Sequence, residues 1–297
     1  MRTKTRTDQA AQAWQPHQIE VCLVPLDGTK FAQLALVVAK ELAERLDVRT
    51  EIISAVAREE DVPVRYRELA NVGLGTELSI SVVVDLDPAG VIHENLKRLG
   101  CAVACLASHG RSRGPNLRPS VPNDVIARGH DPVLIAGPNI GRPKGVWWDD
   151  AQLSLSEFRG GGVLACLDGT AASRSLVDIA AEWAARLTEP LIAATVAEPD
   201  PGLFHIDDRL FGPKGDVDAY LASMVEPIRG RGVQILKSAL YDPVGPAEGI
   251  GSYLEDSPAA LVIVGAHHRG RHPRELALAG TPARIVRRSP SPVLVVP

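Results

Sequence analysis

The residues with the clearest chemistry in this chain are Gly265, Gly270, Gly280 and Thr281. A glycine- and arginine-rich run, Gly265-Ala266-His267-His268-Arg269-Gly270-Arg271-His272, leads to Gly280-Thr281 at the start of a helical pattern. Glycine lets backbone N–H groups close on an anion, Thr281 adds a hydroxyl, and a helix N-terminus adds partial positive charge. Arg269 and Arg271 would hold phosphate oxygens through charge-assisted bonds. This is phosphate-binding chemistry. The same residues also make a plain helix start, with Thr281 as N-cap and Pro282 at the first helical position, and that use needs no ligand. Two acids stand in matching settings: Asp27-Gly28-Thr29 and Asp168-Gly169-Thr170 each close an apolar run and open a helical pattern. Each aspartate reads either as a ligand-facing carboxylate or as the turn-and-cap solution that Asp-Gly commonly provides.

Other chemistries find less support. His268 and His272 stand four apart with His267 beside them, a spacing that invites a metal, but the neighbouring arginines oppose a bound cation. No metal is expected beyond magnesium carried by a nucleotide. No serine sits on a Gly-x-Ser-x-Gly turn, and neither a phosphate-loop lysine motif nor a strand-following Gly-x-Gly-x-x-Gly is present. Cys22, Cys101, Cys105 and Cys166 lie in apolar runs without zinc-ligand spacing and read as reduced core residues. The net charge of −4 offers no footprint for nucleic acid. No apolar run reaches the roughly 18 residues of a membrane span. Residues 1–18 carry Arg2, Lys4 and Arg6 with no apolar stretch behind them, which reads as a disordered leader in a cytoplasmic protein.

The elements that would position these residues are written twice. Ala39, Glu41, Ala43, Arg45 and Leu46 recur as Ala180, Glu182, Ala184, Arg186 and Leu187, at the same offset of 141 that separates Asp27 from Asp168. Pro88-Ala89 recurs as Pro246-Ala247 at an offset of 158, and Pro132-Val133-Leu134 as Pro292-Val293-Leu294 at 160. Matches in fixed order with a growing offset are what a tandem duplication produces. The long insertion of the second half falls at 200–218, rich in Gly, Pro and Asp, and reads as a loop. In the first half, strands are expected at 19–26, 48–57, 78–86, 102–107 and 132–136, with helices at 34–46, 62–70, 88–99 and 120–128. In the second, strands are expected at 162–167, 190–196, 232–240, 260–265 and 292–296, with helices at 171–187, 216–228, 246–256 and 281–288. Strands apolar on both faces and alternating with helices imply parallel sheets covered on both sides. In such sheets ligands sit beyond the carboxyl ends of the strands, where strand order reverses. Those ends carry Asp27-Gly28-Thr29, Val56 and Ala107–Gly110 followed by Ser120 in the first half, and Asp168, Val196, Gly265–Gly270 and Gly280-Thr281 in the second.

These motifs resemble the universal stress protein family, a flavodoxin-like (Rossmann-like) α/β domain often found in tandem. The resemblance covers 19–136 and 162–297. It is most specific at Asp27-Gly28-Thr29, Asp168-Gly169-Thr170, Gly245-Pro246-Ala247-Glu248, Gly280-Thr281 and 292–296. It implies two domains, 19–137 and 162–297, joined by a linker at 138–161 in which Trp147-Trp148 pack against a domain flank. Each domain would be an open five-stranded parallel sheet of order 3-2-1-4-5 with helices on both faces. That order puts the apolar strands 132–136 and 292–296 at sheet edges, which proteins normally pair or cover. They are expected to pair antiparallel within the chain as a pseudo-dimer, the rival being a homodimer through the same edges.

Members of that family that bind ATP carry Gly-x2-Gly-x9-Gly-(Ser/Thr) after the fourth strand and an Asp after the first, near the adenine. The first half reads Ala107-x2-Gly110-x8-Pro119-Ser120, and Pro119 has no N–H to offer a phosphate. Asp27, Val56, Gly110 and Ser120 are therefore degenerate counterparts of a lost site. The second half keeps Gly265 and Gly280-Thr281, has His268 at the second glycine, and offers in its place Gly270, with nine residues between it and Gly280. The implied function is a non-enzymatic stress-response regulator or sensor that binds ATP or a related adenine nucleotide weakly in the second domain only. Asp168, Val196, Gly265, Gly270, Gly280 and Thr281 would form that site. The alternatives are a scaffold that binds no nucleotide and acts through protein contacts, and a pyrophosphatase-type synthetase. The absence of a Ser-Gly-Gly-x-Asp-Ser loop after the first strand opposes the last.

Overall fold

Val21–Pro25 (β1) and Val163–Leu167 (β6) are apolar along nearly their whole length and shielded on both faces, so each must lie inside a sheet with helices above and below. The computed structural model describes residues 19–72, 78–108, 120–129, 131–141, 161–197, 205–206, 209–210, 214–242, 244–266 and 280–297. The expected leader, Gly110, Gly270, the three histidines and Trp147-Trp148 lie outside the described residues.

The first half runs β1, α1 (Gln33–Leu46), β2 (Arg49–Val56), α2 (Val62–Ala70), β3 (Ser79–Val84), α3 (Pro88–Leu99), β4 (Ala102–Ala107), α4 (Val121–Arg128) and β5 (Val133–Ala136). The second runs β6, α5 (Ala172–Leu187), β7 (Leu191–Ala197), β8 (His205–Ile206), β9 (Arg209–Leu210), α6 (Lys214–Val225), β10 (Ile235–Tyr241), α7 (Pro246–Asp256), β11 (Leu261–Gly265), α8 (Gly280–Arg288) and β12 (Val293–Val296). All strands but β8 and β9 join one ten-stranded sheet of order β10-β7-β6-β11-β12-β5-β4-β1-β2-β3. Read inward from its outer edge, each half has the order 3-2-1-4-5. Every pairing in it is parallel except β12 with β5, which is antiparallel with Leu294 opposite Leu134. The two apolar edges thus cover each other.

Helices cover both faces, and the apolar cluster on each face contains residues of both halves. One holds Leu36, Val103, Leu134, Val163, Leu221 and Leu294; the other holds Leu23, Ile92, Ile135, Leu164, Ile250 and Val293. The same backbone device ends α1 and α5: Asp47 and Thr188, counterparts at the 141 offset, both take left-handed φ values of 56° and 57°.

Two expectations need correction. The stretch 200–218, read as a loop, contains the antiparallel pair β8–β9 and the first turn of α6. Its Gly, Pro and Asp content masked strands only two residues long. The beginning of the expected linker is also part of the fold, because Asn139 Nδ2 donates to the Arg287 carbonyl at 2.9 Å and the Arg288 carbonyl at 3.4 Å. Those are end-of-helix carbonyls of α8, which need an outside partner. Among the described residues no helix is long and apolar enough to cross a membrane.

Candidate functional site

The carboxyl ends of β6, β7 and β11 lie side by side, and the loop after β6 is held by a hydroxyl from its neighbour. Thr195 Oγ1 on β7 donates to the Leu167 carbonyl at 2.8 Å in a fully buried bond. The first half repeats it: Ser54 Oγ on β2 donates to the Leu26 carbonyl at 2.6 Å. Sequence reasoning missed this pair. The available signal was a hydroxyl residue at the same place in the two strands, Ser54 and Thr195 standing at the repeat offset of 141.

Beyond that lock the chain turns sharply through glycine. Gly28 and Gly169 have φ of 81° and 84°, a region that side chains with a Cβ adopt at a penalty. Asp168 Oδ1 accepts from the Thr170 N–H at 3.1 Å, the Thr170 hydroxyl at 2.8 Å and the Ser173 hydroxyl at 2.9 Å. Asp27 Oδ1 accepts from the Thr29 N–H at 2.9 Å and the Thr29 hydroxyl at 2.6 Å. Both aspartates therefore perform the turn function that Asp-Gly can provide. Asp27 is exposed, whereas Asp168 is half-buried.

The strand register sets the remaining positions. Leu167 lies opposite Thr195, so Asp168 comes level with Val196, which is buried on β7. Cys166 lies opposite Val264, so Gly265 comes level with Leu167 on the other side. The topology thus places Asp168 level with Val196 and Gly265 one residue behind them, level with Thr195, at the ends of three adjacent strands. Gly280 opens α8 with φ of 65°, and a Cβ added there would meet nothing within 4 Å. Its glycine is a backbone requirement, with no atom of the described residues crowding it. Thr281 reads as a possible cap in the sequence, but its hydroxyl makes no hydrogen bond among the described residues. Its first-half counterpart Ser120 does cap α4, accepting from the Asn123 N–H at 3.4 Å.

An ion pair braces each of these helices. In the second half Glu248 on α7 is buried and pairs with Arg284 and, at 3.4 Å, with Arg288 on α8. In the first half Gly90 replaces that glutamate, and the carboxylate moves one turn back to Asp87, which pairs with Arg128. The Arg128 guanidinium and then the Gly90 N–H hold the Asp87 carboxyl below its usual range. Among the described residues no group of three or more potential metal ligands exists.

Residues 162–297 match the model of the universal stress protein family. No curated protein matches the chain by sequence. Among solved structures, a universal stress protein from Archaeoglobus fulgidus DSM 4304 aligns with 94% of this chain and 98% of its own, at 16% identity and a TM-score of 0.62. A functionally unknown protein from Pseudomonas aeruginosa PAO1 aligns with 95% of this chain and 93% of its own, at 16% identity and a TM-score of 0.57. A universal stress protein solved in complex with cAMP aligns with 46% of this chain and 96% of its own, at 24% identity and a TM-score of 0.37. At these identities the likeness is one of fold.

Proposed function

From a second half, residues 162–297, that belongs to the universal stress protein family, we propose that the chain is a cytoplasmic stress-response regulator or sensor binding ATP or a related adenine nucleotide weakly. The observation that carries this reading is Gly280, with its left-handed backbone and, among the described residues, no atom crowding it and no partner for the Thr281 hydroxyl beside it. Those features fit a phosphate resting on the start of α8. Gly280 and Thr281 would hold phosphate oxygens, and Gly265 would let the strand end approach them. Asp168 and Val196 would border the base. Any magnesium would arrive with the nucleotide. Binding would be weak because Pro282 removes one N–H from the helix start. The chain's own residues do no covalent chemistry in this reading; the nucleotide is a signal to be held.

The test is mass spectrometry of small molecules released by heating purified full-length protein, followed by calorimetry with ATP. Adenine nucleotide should be present or bind measurably, and Gly280→Val should abolish it without altering the far-ultraviolet circular dichroism. A protein that carries no nucleotide and gives no heat with ATP would instead support the scaffold reading.

A further inference from the structure

The most exposed large apolar side chains among the described residues are Leu86 and Val244, 84% and 71% exposed. They are counterparts at the 158 offset, each just past an outer edge strand of the ten-stranded sheet, Leu86 after β3 and Val244 after β10. The two edges are otherwise unlike. β10 carries Lys237, exposed in mid-strand, a charge of the kind that keeps an edge from pairing. β3, Ser-Ile-Ser-Val-Val-Val, has no charge, proline or glycine. Among the described residues it pairs only with β2, so alternate N–H and C=O groups along its other side face outward.

The helix over that edge is also thinly packed. α2 packs on β3 yet buries only Leu69 and leaves Val64 and Tyr66 exposed, whereas its counterpart α6 buries Val217, Tyr220, Leu221 and Val225. The first half thus ends in an uncharged strand, flanked by apolar side chains on α2 and at Leu86. A strand pair alone is small for a stable interface, and these side chains extend it.

Two features point to a second copy of this chain as the occupant. A strand with no charge has nothing to repel its own image, and the sheet already contains an antiparallel meeting of this kind at β5–β12, with α1 and α5 on one face. The charges around α2 are also self-complementary. The acidic turn Glu59–Asp61 comes just before the helix, and Arg65 and Arg67 lie on it. A twofold image runs α2 the other way, so the acidic start of each helix lies alongside the arginines of the other.

We propose that β3 is a self-association edge, pairing antiparallel with β3 of a second copy across a twofold axis and joining two ten-stranded sheets into one. Leu86 of each copy then comes beside Leu78, just before the other β3, and Val64 and Tyr66 meet their images on one face. This edge is distinct from those of β5 and β12, which are already joined within the chain. The proposal is independent of nucleotide binding at Gly280.

The experiment is sedimentation velocity of the full-length protein from micromolar to millimolar concentrations. It should show a monomer–dimer equilibrium. A chain that stays monomeric throughout would overturn the proposal and leave the edge to a partner of another sequence. So would assemblies that keep growing beyond two chains, the result expected of head-to-tail pairing between β3 and β10. Ser81, exposed at the middle of β3, gives the specific test. Ser81→Lys and Ser81→Glu should each weaken the dimer at least about ten-fold, because like charges face each other across the twofold. Mixing the two variants should restore it. Leu86→Asp serves if neither Ser81 variant folds. A dimer unchanged in every folded variant, or one that mixing fails to restore, would also overturn the proposal.

Discussion

Arg45 and Arg186 occupy equivalent turns of α1 and α5, and each reaches across the molecule to hold the opposite half. Arg45 Nη2 donates to the Leu187 carbonyl at 3.0 Å and to Glu189 Oε1 at 2.7 Å, while Arg186 Nη2 donates to the Ile19 carbonyl at 3.3 Å. The exchange is reciprocal, each arginine donating to a backbone carbonyl of the other half, and Arg45 adds the Glu189 carboxylate. Burial lowers the Arg186 pKa from its ordinary value.

Arg45→Ala should therefore destabilise the protein by roughly 1–3 kcal/mol, the scale of a charged hydrogen bond lost from a partly buried site. The pair is 20% and 13% exposed, so solvent screens it only in part. A denaturant midpoint that does not move would show that the junction is held by apolar packing alone. A double-mutant cycle with Glu189→Ala isolates the pairwise share.

Gly280 supplies a purely conformational prediction. Since an added Cβ meets no atom of the described residues, the penalty expected at this site is that of φ of 65°. Gly280→Ala should cost about 1–2 kcal/mol, and Gly280→Asn less, because Asn tolerates the left-handed region. Equal stability for all three residues in thermal melts would mean that the start of α8 relaxes to negative φ.

What was legible in the sequence, and what was not, follows the range of the interactions. The antiparallel meeting of β5 and β12 could be anticipated because two edge strands that are almost wholly apolar must be covered. The strand order followed from the alternation of strands and helices together with a family likeness. The reach of Arg45 to Glu189 could not be read, since nothing in the spacing of two surface-type residues says that they meet across a junction. The first-half strand ends could be placed, Asp27 among them, but the apolar lining that Leu26, Phe31, Ile92 and Leu106 build beyond them comes from separate elements and could not. The move of a carboxylate from Glu248 to Asp87 was likewise invisible, because it substitutes one helical turn for another rather than one residue type for another.

Asp87 gives a pH dependence with a definite sign. Its carboxyl is held below the ordinary value of 3.8, chiefly by the Arg128 guanidinium. A depressed folded value means the contribution is complete above the unfolded pKa and fades as pH falls through the folded one. Asp87→Asn should thus flatten the acid side of the stability curve, between about pH 5 and pH 2, without changing its shape near neutrality. Parallel curves for the two proteins would sink this assignment. The pair is exposed, so the effect should be small and should shrink with added salt.

The four thiols should be poor nucleophiles in the folded protein. Burial pushes Cys166 up to about 12, so roughly one molecule in ten thousand carries its thiolate at pH 8. Cys105 is raised well above the ordinary value by its hydrogen bond with Cys22 and by burial, and Cys101 is raised by burial and then by Glu20. Iodoacetamide should label the native chain slowly and all four sites readily after unfolding. Rapid native labelling of Cys166 would show that its strand opens far more often than the packing implies.

The last prediction concerns whether the two halves unfold separately. Leu134 and Leu294 face each other in the antiparallel register, are 1% and 0% exposed, and belong to a single apolar cluster with α1 and α5 residues. A junction made of two independent cores would confine each truncation to its own half. A shared core makes each truncation felt by both. Leu134→Ala and Leu294→Ala should each cost about 2–5 kcal/mol and shift one common transition, seen at the same midpoint by Trp183 fluorescence and by circular dichroism. The double variant should depart from additivity, because the residues touch the same cavity. Two separated transitions, with only one displaced by each substitution, would show that the ten-stranded sheet is continuous in hydrogen bonding but not in folding.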